Sequence, residues 1–202
     1  MSGMEQPVRP PDPDLELFRR VQAGDGDAFQ ELARRHEHAI YRTALAITRN
    51  EADAEDVTQE TFLRAFAHRD QFRGEARFST WLTQIAINAA RMRLRKRHGD
   101  MWESLDQAAE EDDRAPREIA EWREDPEIQY GKEELRARVE QAMGGLPPSY
   151  RAVLVLRDLR DCSTQETAEI LGLSLANVKT RLLRARLMLR ERLAKREGIS
   201  IA

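Results

Sequence analysis

Apolar residues in the N-terminal part of the chain recur at intervals of three and four positions, which is the spacing of helices with one buried face. The pattern begins with Leu15, Phe18 and Val21 and continues through four helical stretches to residue 98. Asn50 is placed to cap the third stretch and Ser79 to cap the fourth. The spacing therefore predicts a bundle of helices in this half of the chain.

A second helical pattern starts at Lys132 and resumes after a break at residues 144–148, where proline suits the first turn of a new helix. No alternating pattern typical of a strand extends beyond a few residues, so the predicted fold class is all-α, with two small helical domains. The predicted segments are a flexible tail over 1–13, a helical module over 14–98, an acidic linker over 99–131, with short helices around 119–122 as an alternative, and a helical module over 132–197.

The sharpest local signal lies at residues 163–186. Ser163 and Glu166 have the spacing of a capping box, Gly172 suits the left-handed end of a helix, and Ser174 suits the cap of the next helix. This order is typical of a helix-turn-helix, whose second helix enters the major groove of DNA. The residues predicted on or beside its outward face are Lys179, Thr180, Arg181, Leu183, Arg184 and Arg186. A plain helical hairpin with a basic surface is the alternative.

Charge is distributed unevenly along the 202 residues, although the net charge is only -3. Residues 99–127 contain twelve acids and three bases, a local charge of -9, so the rest of the chain sums to +6. Two basic runs lie at residues 91–97 and 179–196. Basic clusters at two separate places suggest two modules that contact one polyanion, although simple solvated helix faces remain an alternative.

Several classes of protein are excluded or disfavoured by composition. The longest apolar run spans residues 152–156, far short of the roughly 20 residues that cross a bilayer, so no membrane insertion is expected. One cysteine, Cys162, excludes an internal disulfide and a multi-thiolate metal site. His36 and His38 point in different directions on a helix, so they do not form a metal pair. A protein of the cytoplasm, without a cofactor or metal, is the expectation.

Two other functional classes, an enzyme acting on nucleic acid and a stand-alone regulator, are alternatives to a DNA-binding subunit. An enzyme acting on nucleic acid would need carboxylates clustered around metal ions, or a nucleophile with a base, whereas the acids of residues 51–60 lie on one short helix. A stand-alone regulator with a receiver-type sensor would need alternating strands and helices. We therefore expect a protein that is not an enzyme.

Over residues 14–98 and 132–196 the chain resembles the extracytoplasmic-function (ECF) sigma factors of the sigma-70 family, the promoter-recognition subunits of bacterial RNA polymerase. The resemblance rests on DAEDVTQETFLRA at 53–65, FRG at 72–74, FSTWL at 78–82, IAIN at 85–88, LP at 146–147, YR at 150–151 and VKTRLLRAR at 178–186. It implies a sigma region 2 module, a sigma region 4 module and a short linker between them.

The resemblance also implies roles for individual residues. A surface for the clamp helices of core RNA polymerase would include Asp53, Asp56, Gln59, Glu60, Phe62 and Leu63. Contacts to the melted, single-stranded minus-ten promoter element would involve Gly74, Phe78, Ser79, Trp81, Asn88, Arg91 and Arg95. The helix-turn-helix would read the minus-thirty-five element as duplex DNA, and an anti-sigma factor is the implied regulatory partner. The linker would run through the RNA exit path of the polymerase.

Overall fold

The computed structural model describes residues 12–98 and 132–196, and every regular element in these two ranges is helical. The N-terminal module contains α1 (Leu15–Gln22), α2 (Gly26–Thr48), α3 (Glu51–Ala67), a 3-10 turn (Arg69–Gln71) and α4 (Phe78–His98). The C-terminal module contains α5 (Lys132–Gly144), α6 (Pro148–Leu154), a π-helical turn (Val155–Leu159), α7 (Thr164–Leu171) and α8 (Leu175–Arg196). The predicted all-α class is confirmed. None of the described helices has the length and apolar character needed to cross a membrane.

The core of the N-terminal module is built around aromatic rings. Phe18 from α1 and Phe78 from α4 are completely buried, and their ring centroids are 4.9 Å apart. Phe72 meets Phe18 edge-on, also at 4.9 Å, and Trp81 packs against both rings. Burying side chains of this size contributes about 1.5–3 kcal/mol each, so α1 is held firmly against the start of α4.

A second core joins the two modules. Ile47 of α2 and Ile87 of α4 belong to one cluster of buried side chains together with Met143, Val153 and Leu156 of the C-terminal module. The sequence predicted two modules, and it carried no indication that they share a core. The structure is therefore a closed arrangement, in which α2 and α4 pack against the C-terminal helices.

Most predicted caps lie where the sequence places them, with one exception. The side chain of Asn50 accepts a hydrogen bond from the amide of Asp53 at 2.9 Å, as predicted. The prediction that Ser79 caps α4 is wrong, because the helix already begins at Phe78. The amide of Phe78 instead donates to the carboxylate of Asp12 at 2.6 Å.

The predicted boundary of the flexible tail is also corrected by this contact. Asp12 is half-buried and bonded to α4, so the ordered chain includes at least residues 12 and 13 of the segment predicted as a tail. Residues 1–11, the predicted linker at 99–131 and residue 197 lie outside the described residues.

Candidate nucleic-acid interface

The helix-turn-helix forms with the predicted local geometry. The Ser163 hydroxyl accepts from the amide of Glu166 at 3.1 Å, and the Glu166 carboxylate accepts from the amide of Ser163 at 2.7 Å, which completes the capping box. Gly172 ends α7 with a φ of 68°, a left-handed conformation that glycine adopts without steric cost. Ser174 then accepts from the amide of Asn177 at 3.1 Å. The capping box thus defines the start of α7, and Gly172 and Ser174 define the turn that leads into α8.

The side chains of α8 divide into an outward and an inward face. Lys179 and Arg186 are exposed, and the predicted contacts Thr180, Leu183 and Arg184 are partly exposed. Arg181 is only 4% exposed, because it lies on the same helix face as the buried residues Val178 and Ala185. The prediction that Arg181 lies on the DNA-facing side is therefore wrong for this closed arrangement.

Arg186 is the best-positioned cation of the outward face. Its guanidinium donates to both carboxylate oxygens of Asp158, at 3.0 and 2.6 Å. This hydrogen bonding raises the pKa of Arg186 above its ordinary value. The pair orients the guanidinium beside α8, where a phosphate could replace the carboxylate as its partner.

The connection between α3 and α4 forms a loop over residues 72–77, here called the minus-ten loop. Gly74 has a φ of +75°, and a Cβ atom at this position would lie 3.2 Å from the Leu15 side chain. Gly74 is exposed, while Ser79 and Trp81 are partly exposed at the start of α4. Phe78 is completely buried, so its side chain supports the loop from below, contrary to the prediction that it contacts DNA.

The polar side chains of α4 that were predicted to read the minus-ten element lie along one helix. Asn88 and Arg95 are exposed, seven residues apart and thus two turns apart on one face. Arg91 is partly exposed and donates to the carbonyl oxygen of Leu171, at the end of α7, at 3.3 Å. One predicted DNA contact therefore already has a partner in the C-terminal module.

Two further pairs of residues join α4 to the C-terminal module by hydrogen bonds. The Thr80 hydroxyl lies 3.4 Å from the Glu166 carboxylate, and the Arg160 guanidinium lies 3.4 Å from the Thr83 hydroxyl. Burial lowers the pKa of Arg160. A shallow cleft separates the minus-ten loop from α7, with Gly74 and Ile170 on opposite walls. The first helix of the helix-turn-helix thus faces the predicted minus-ten surface.

The acidic face of α3 is partly engaged within its own module. Asp53 is 9% exposed and accepts from Arg93 at 2.7 Å and from Arg97 at 2.8 Å, both on α4. The hydrogen bond from Arg93 is the main cause that lowers the pKa of Asp53. Asp56 also pairs with Arg93. These arginines belong to the first basic run, so part of that run braces α3 against α4.

The remaining predicted polymerase contacts combine charge with exposed apolar surface. Leu63 is 72% exposed and Gln59 is exposed, while Glu60 pairs with Arg64 at 2.5 Å. Phe62 is partly buried, with its ring 6.4 Å from that of Phe29. Sequence reasoning missed two exposed apolar neighbours of this surface, Phe66 at 43% on α3 and Met92 at 47% on α4. Their helical spacing resembled that of core residues, so the sequence contained no signal that separated them from the core.

Comparison with known proteins agrees with this geometry. Residues 32–99 match the family model for sigma-70 region 2, and residues 136–189 match the model for sigma-70 region 4. The chain is 34% identical to the ECF RNA polymerase sigma factor SigW of Bacillus subtilis strain 168, over 87% of this chain and 94% of the relative. The chain belongs to the ECF sigma factors of the sigma-70 family. The RNA polymerase sigma-H factor of Pseudomonas aeruginosa is also 34% identical, over 86% of this chain and 90% of the relative.

Among solved structures, this sigma factor is similar to the sigma factor RpoE in complex with the anti-sigma factor NepR from Bartonella quintana. The two chains are 25% identical, the match covers 82% of this chain and 96% of that chain, and the TM-score is 0.60.

Proposed function

We propose that this chain binds core RNA polymerase and directs initiation at promoters that carry a minus-ten and a minus-thirty-five element. The observation that carries the proposal is that the side chain of Leu63 is 72% exposed on an acidic helix. A protein that only binds DNA does not need an exposed leucine on such a helix. Together with the exposed apolar side chains of Phe66 and Met92, Leu63 forms apolar surface beside acidic side chains, which is typical of a protein–protein contact. The clamp helices of the polymerase are the proposed partner of this face.

The DNA-binding roles are divided between the modules. Lys179 and Arg186 on the outward face of α8 are proposed to contact the minus-thirty-five duplex, since basic side chains donate to guanine acceptors and to phosphates. Asn88, Arg95 and the minus-ten loop are proposed to hold unstacked bases of the minus-ten strand. Flipping a base costs a few kcal/mol, which contacts to the base and backbone offset.

Promoter binding would require the two modules to separate. In the closed arrangement Arg91 is bonded to the end of α7, and α7 faces the minus-ten loop, so part of the minus-ten surface is covered although Asn88 and Arg95 are exposed. Two elements on one promoter also need two modules that are held apart. We propose that core polymerase binds the separated form, and that an anti-sigma factor favours a form that cannot bind polymerase. The chain would act in the cytoplasm as a binding subunit and not as an enzyme.

The test is transcription with purified core RNA polymerase on a genomic promoter library. The wild-type chain is expected to bind core enzyme and to produce run-off transcripts from a defined subset of promoters. Leu63→Ser should weaken core binding about tenfold, because an apolar contact worth one to two kcal/mol is lost. Since Leu63 is largely exposed, the melting temperature of the free chain should change little.

A matched control is Leu175→Ser, the same change at a 46% exposed leucine of the C-terminal module. It should leave core binding unchanged. If the wild-type chain neither binds core enzyme nor initiates at any promoter, and instead binds duplex DNA alone, the chain is a stand-alone regulator and the proposal fails.

A further inference from the structure

The short segment before α1 contacts the start of α4, immediately after the minus-ten loop, although it is remote from that helix in sequence. Asp12, Pro13 and Asp14 precede the residues that match sigma-70 region 2, which begin at residue 32. In the structure, Asp12 reaches the first turn of α4, and Leu15 lies beneath Gly74. Asp12 therefore contacts the first residue after the loop that is proposed to hold minus-ten bases, and Leu15, the first residue of α1, lies next to Gly74 within it.

The contact at Asp12 completes a helix start that lacks a local cap. The amide of Trp81 donates to the carbonyl oxygen of Arg77 at 3.0 Å, so Arg77 stands at the cap position of α4. A guanidinium has no acceptor atom and cannot cap an amide. The carboxylate of Asp12 supplies the missing acceptor to Phe78 at 2.6 Å, and its negative charge suits the positive end of the helix dipole.

Asp12 is itself held in place by its neighbours. Its second carboxylate oxygen accepts from the amide of Asp14 at 3.1 Å. Asp14 is buried and pairs with His36 at 2.7 Å and with Arg35 at 3.2 Å, both on α2. The His36 ring in turn lies 5.3 Å from the ring of Phe78. The segment thus links α2 to the first residue of α4 through a closed set of contacts.

We propose that Asp12 is a positioning residue for recognition of the minus-ten element. By fixing the first turn of α4, it sets the direction in which the minus-ten loop and Trp81 present themselves to an unstacked base. Asp12 does not contact DNA in this role, and it acts through the amide of Phe78. The inference rests on the proposed function of the minus-ten loop. It adds to that function a residue that lies outside residues 32–99, the part that matches sigma-70 region 2.

The test compares Asp12→Ala, Asp12→Asn and Asp70→Ala in holoenzyme assembled from the full chain and core polymerase. Asp70 is an exposed acid in the 3-10 turn of the same module, so its removal is a matched loss of charge. The probe is a fluorescent single strand that carries the minus-ten sequence of a promoter selected in the run-off experiment. Affinity for core enzyme, affinity for the minus-thirty-five duplex and the melting temperature are measured in parallel.

Asp12→Ala is expected to weaken binding of the single strand about fivefold, which corresponds to the free energy of about 1 kcal/mol that a helix cap typically contributes, with core and duplex affinities unchanged. Asp12→Asn keeps an acceptor for Phe78 and should recover most of this loss, whereas Asp70→Ala should match wild type. Equal behaviour of Asp12→Ala and Asp70→Ala would overturn the inference. So would an equal loss of core, duplex and single-strand binding in Asp12→Ala, because that result indicates only a less stable fold. Failure of the wild-type holoenzyme to initiate would refute the proposed function itself, and the inference with it.

Discussion

A buried arginine at the contact between the modules makes the closed arrangement less stable than its apolar packing alone would allow. Arg151 is 5% exposed. Its guanidinium donates to the carbonyl oxygens of Leu146 at 3.1 Å and of Ile47 at 3.5 Å, the second of which belongs to the other module. Its Nε atom has no hydrogen-bond partner among the described residues. No carboxylate pairs with Arg151 in these contacts, so its charge is buried against carbonyl groups alone.

The free-energy cost of burying Arg151 follows from the pKa of its guanidinium. Burial is the main cause that lowers the pKa of Arg151 to about 10, and the nearby charge of Arg49 adds to it. This lowering corresponds to a cost of about 3 kcal/mol for burying the charged guanidinium. Replacing the guanidinium with an apolar side chain of similar length removes this cost and loses two long hydrogen bonds worth about 1 kcal/mol each. Arg151→Met should therefore stabilise the closed arrangement by about 1 kcal/mol, and such replacements of buried charges are often stabilising.

Two measurements on Arg151→Met test this reasoning. Thermal unfolding of the free chain should show a higher melting temperature. The apparent Kd for core polymerase should rise about fivefold, because the polymerase must compete with a more populated closed form. Arg151→Ala is the control, since it leaves a cavity and should lower the melting temperature. A lower melting temperature for Arg151→Met, or a higher one without any change in Kd, would refute the reasoning.

Three further predictions concern the C-terminal module. Burial raises the pKa of Cys162 to about 11, so its alkylation at pH 8 should be slow in the native chain and fast in urea. The pKa of the thiol is higher in the folded chain than in the unfolded chain, where it is about 9. Its contribution to stability should therefore be present below pH 9 and lost as the pH rises from 9 through 11. Gly172→Ala should lower the free energy of unfolding in urea by about 1 kcal/mol, because the backbone at Gly172 is left-handed. Gly26→Ala is the control and should not destabilise the chain, because Gly26 has open space around it and no left-handed backbone. Lys179→Ala should weaken duplex binding by about 1–3 kcal/mol without changing the melting temperature. Arg181→Ala should lower the melting temperature, because Arg181 is buried. A lower melting temperature for Lys179→Ala, with none for Arg181→Ala, would contradict their placement on α8.

The parts of the fold that the sequence predicted are those that depend on neighbours within one turn or two. The caps at Asn50, Ser163 and Ser174 each use an acceptor three residues from its donor, so spacing alone indicates them. The same local reasoning failed at Ser79, because the acceptor that caps α4 lies 66 residues away at Asp12. A local rule cannot detect a partner that only the tertiary fold brings near.

The candidate site divides in the same way. The order of motifs assigns the polymerase and DNA surfaces to particular helices, and this assignment stays a prediction. The motifs did not indicate which side chains on those helices are exposed. Arg181 is basic and lies on α8, the second helix of the helix-turn-helix. Its position three residues after Val178 places it on the same, buried face of that helix. Leu63 has the spacing of core residues but is 72% exposed, and Phe66 is 43% exposed although its ring lies 5.0 Å from that of Phe29 on α2. The chemical type of a residue limits the contacts that it can make, and tertiary packing determines whether its side chain is exposed to make them.

The closed arrangement affects the two DNA surfaces unequally. Lys179 and Arg186 already face solvent, so the reading helix needs no rearrangement within its own module to present them. Arg91 must first leave the carbonyl oxygen of Leu171, a partner 80 residues away, before it can contact a phosphate. Separation of the modules therefore exposes chiefly the minus-ten surface. The contacts that close the chain therefore restrain the proposed minus-ten surface more than the proposed minus-thirty-five surface.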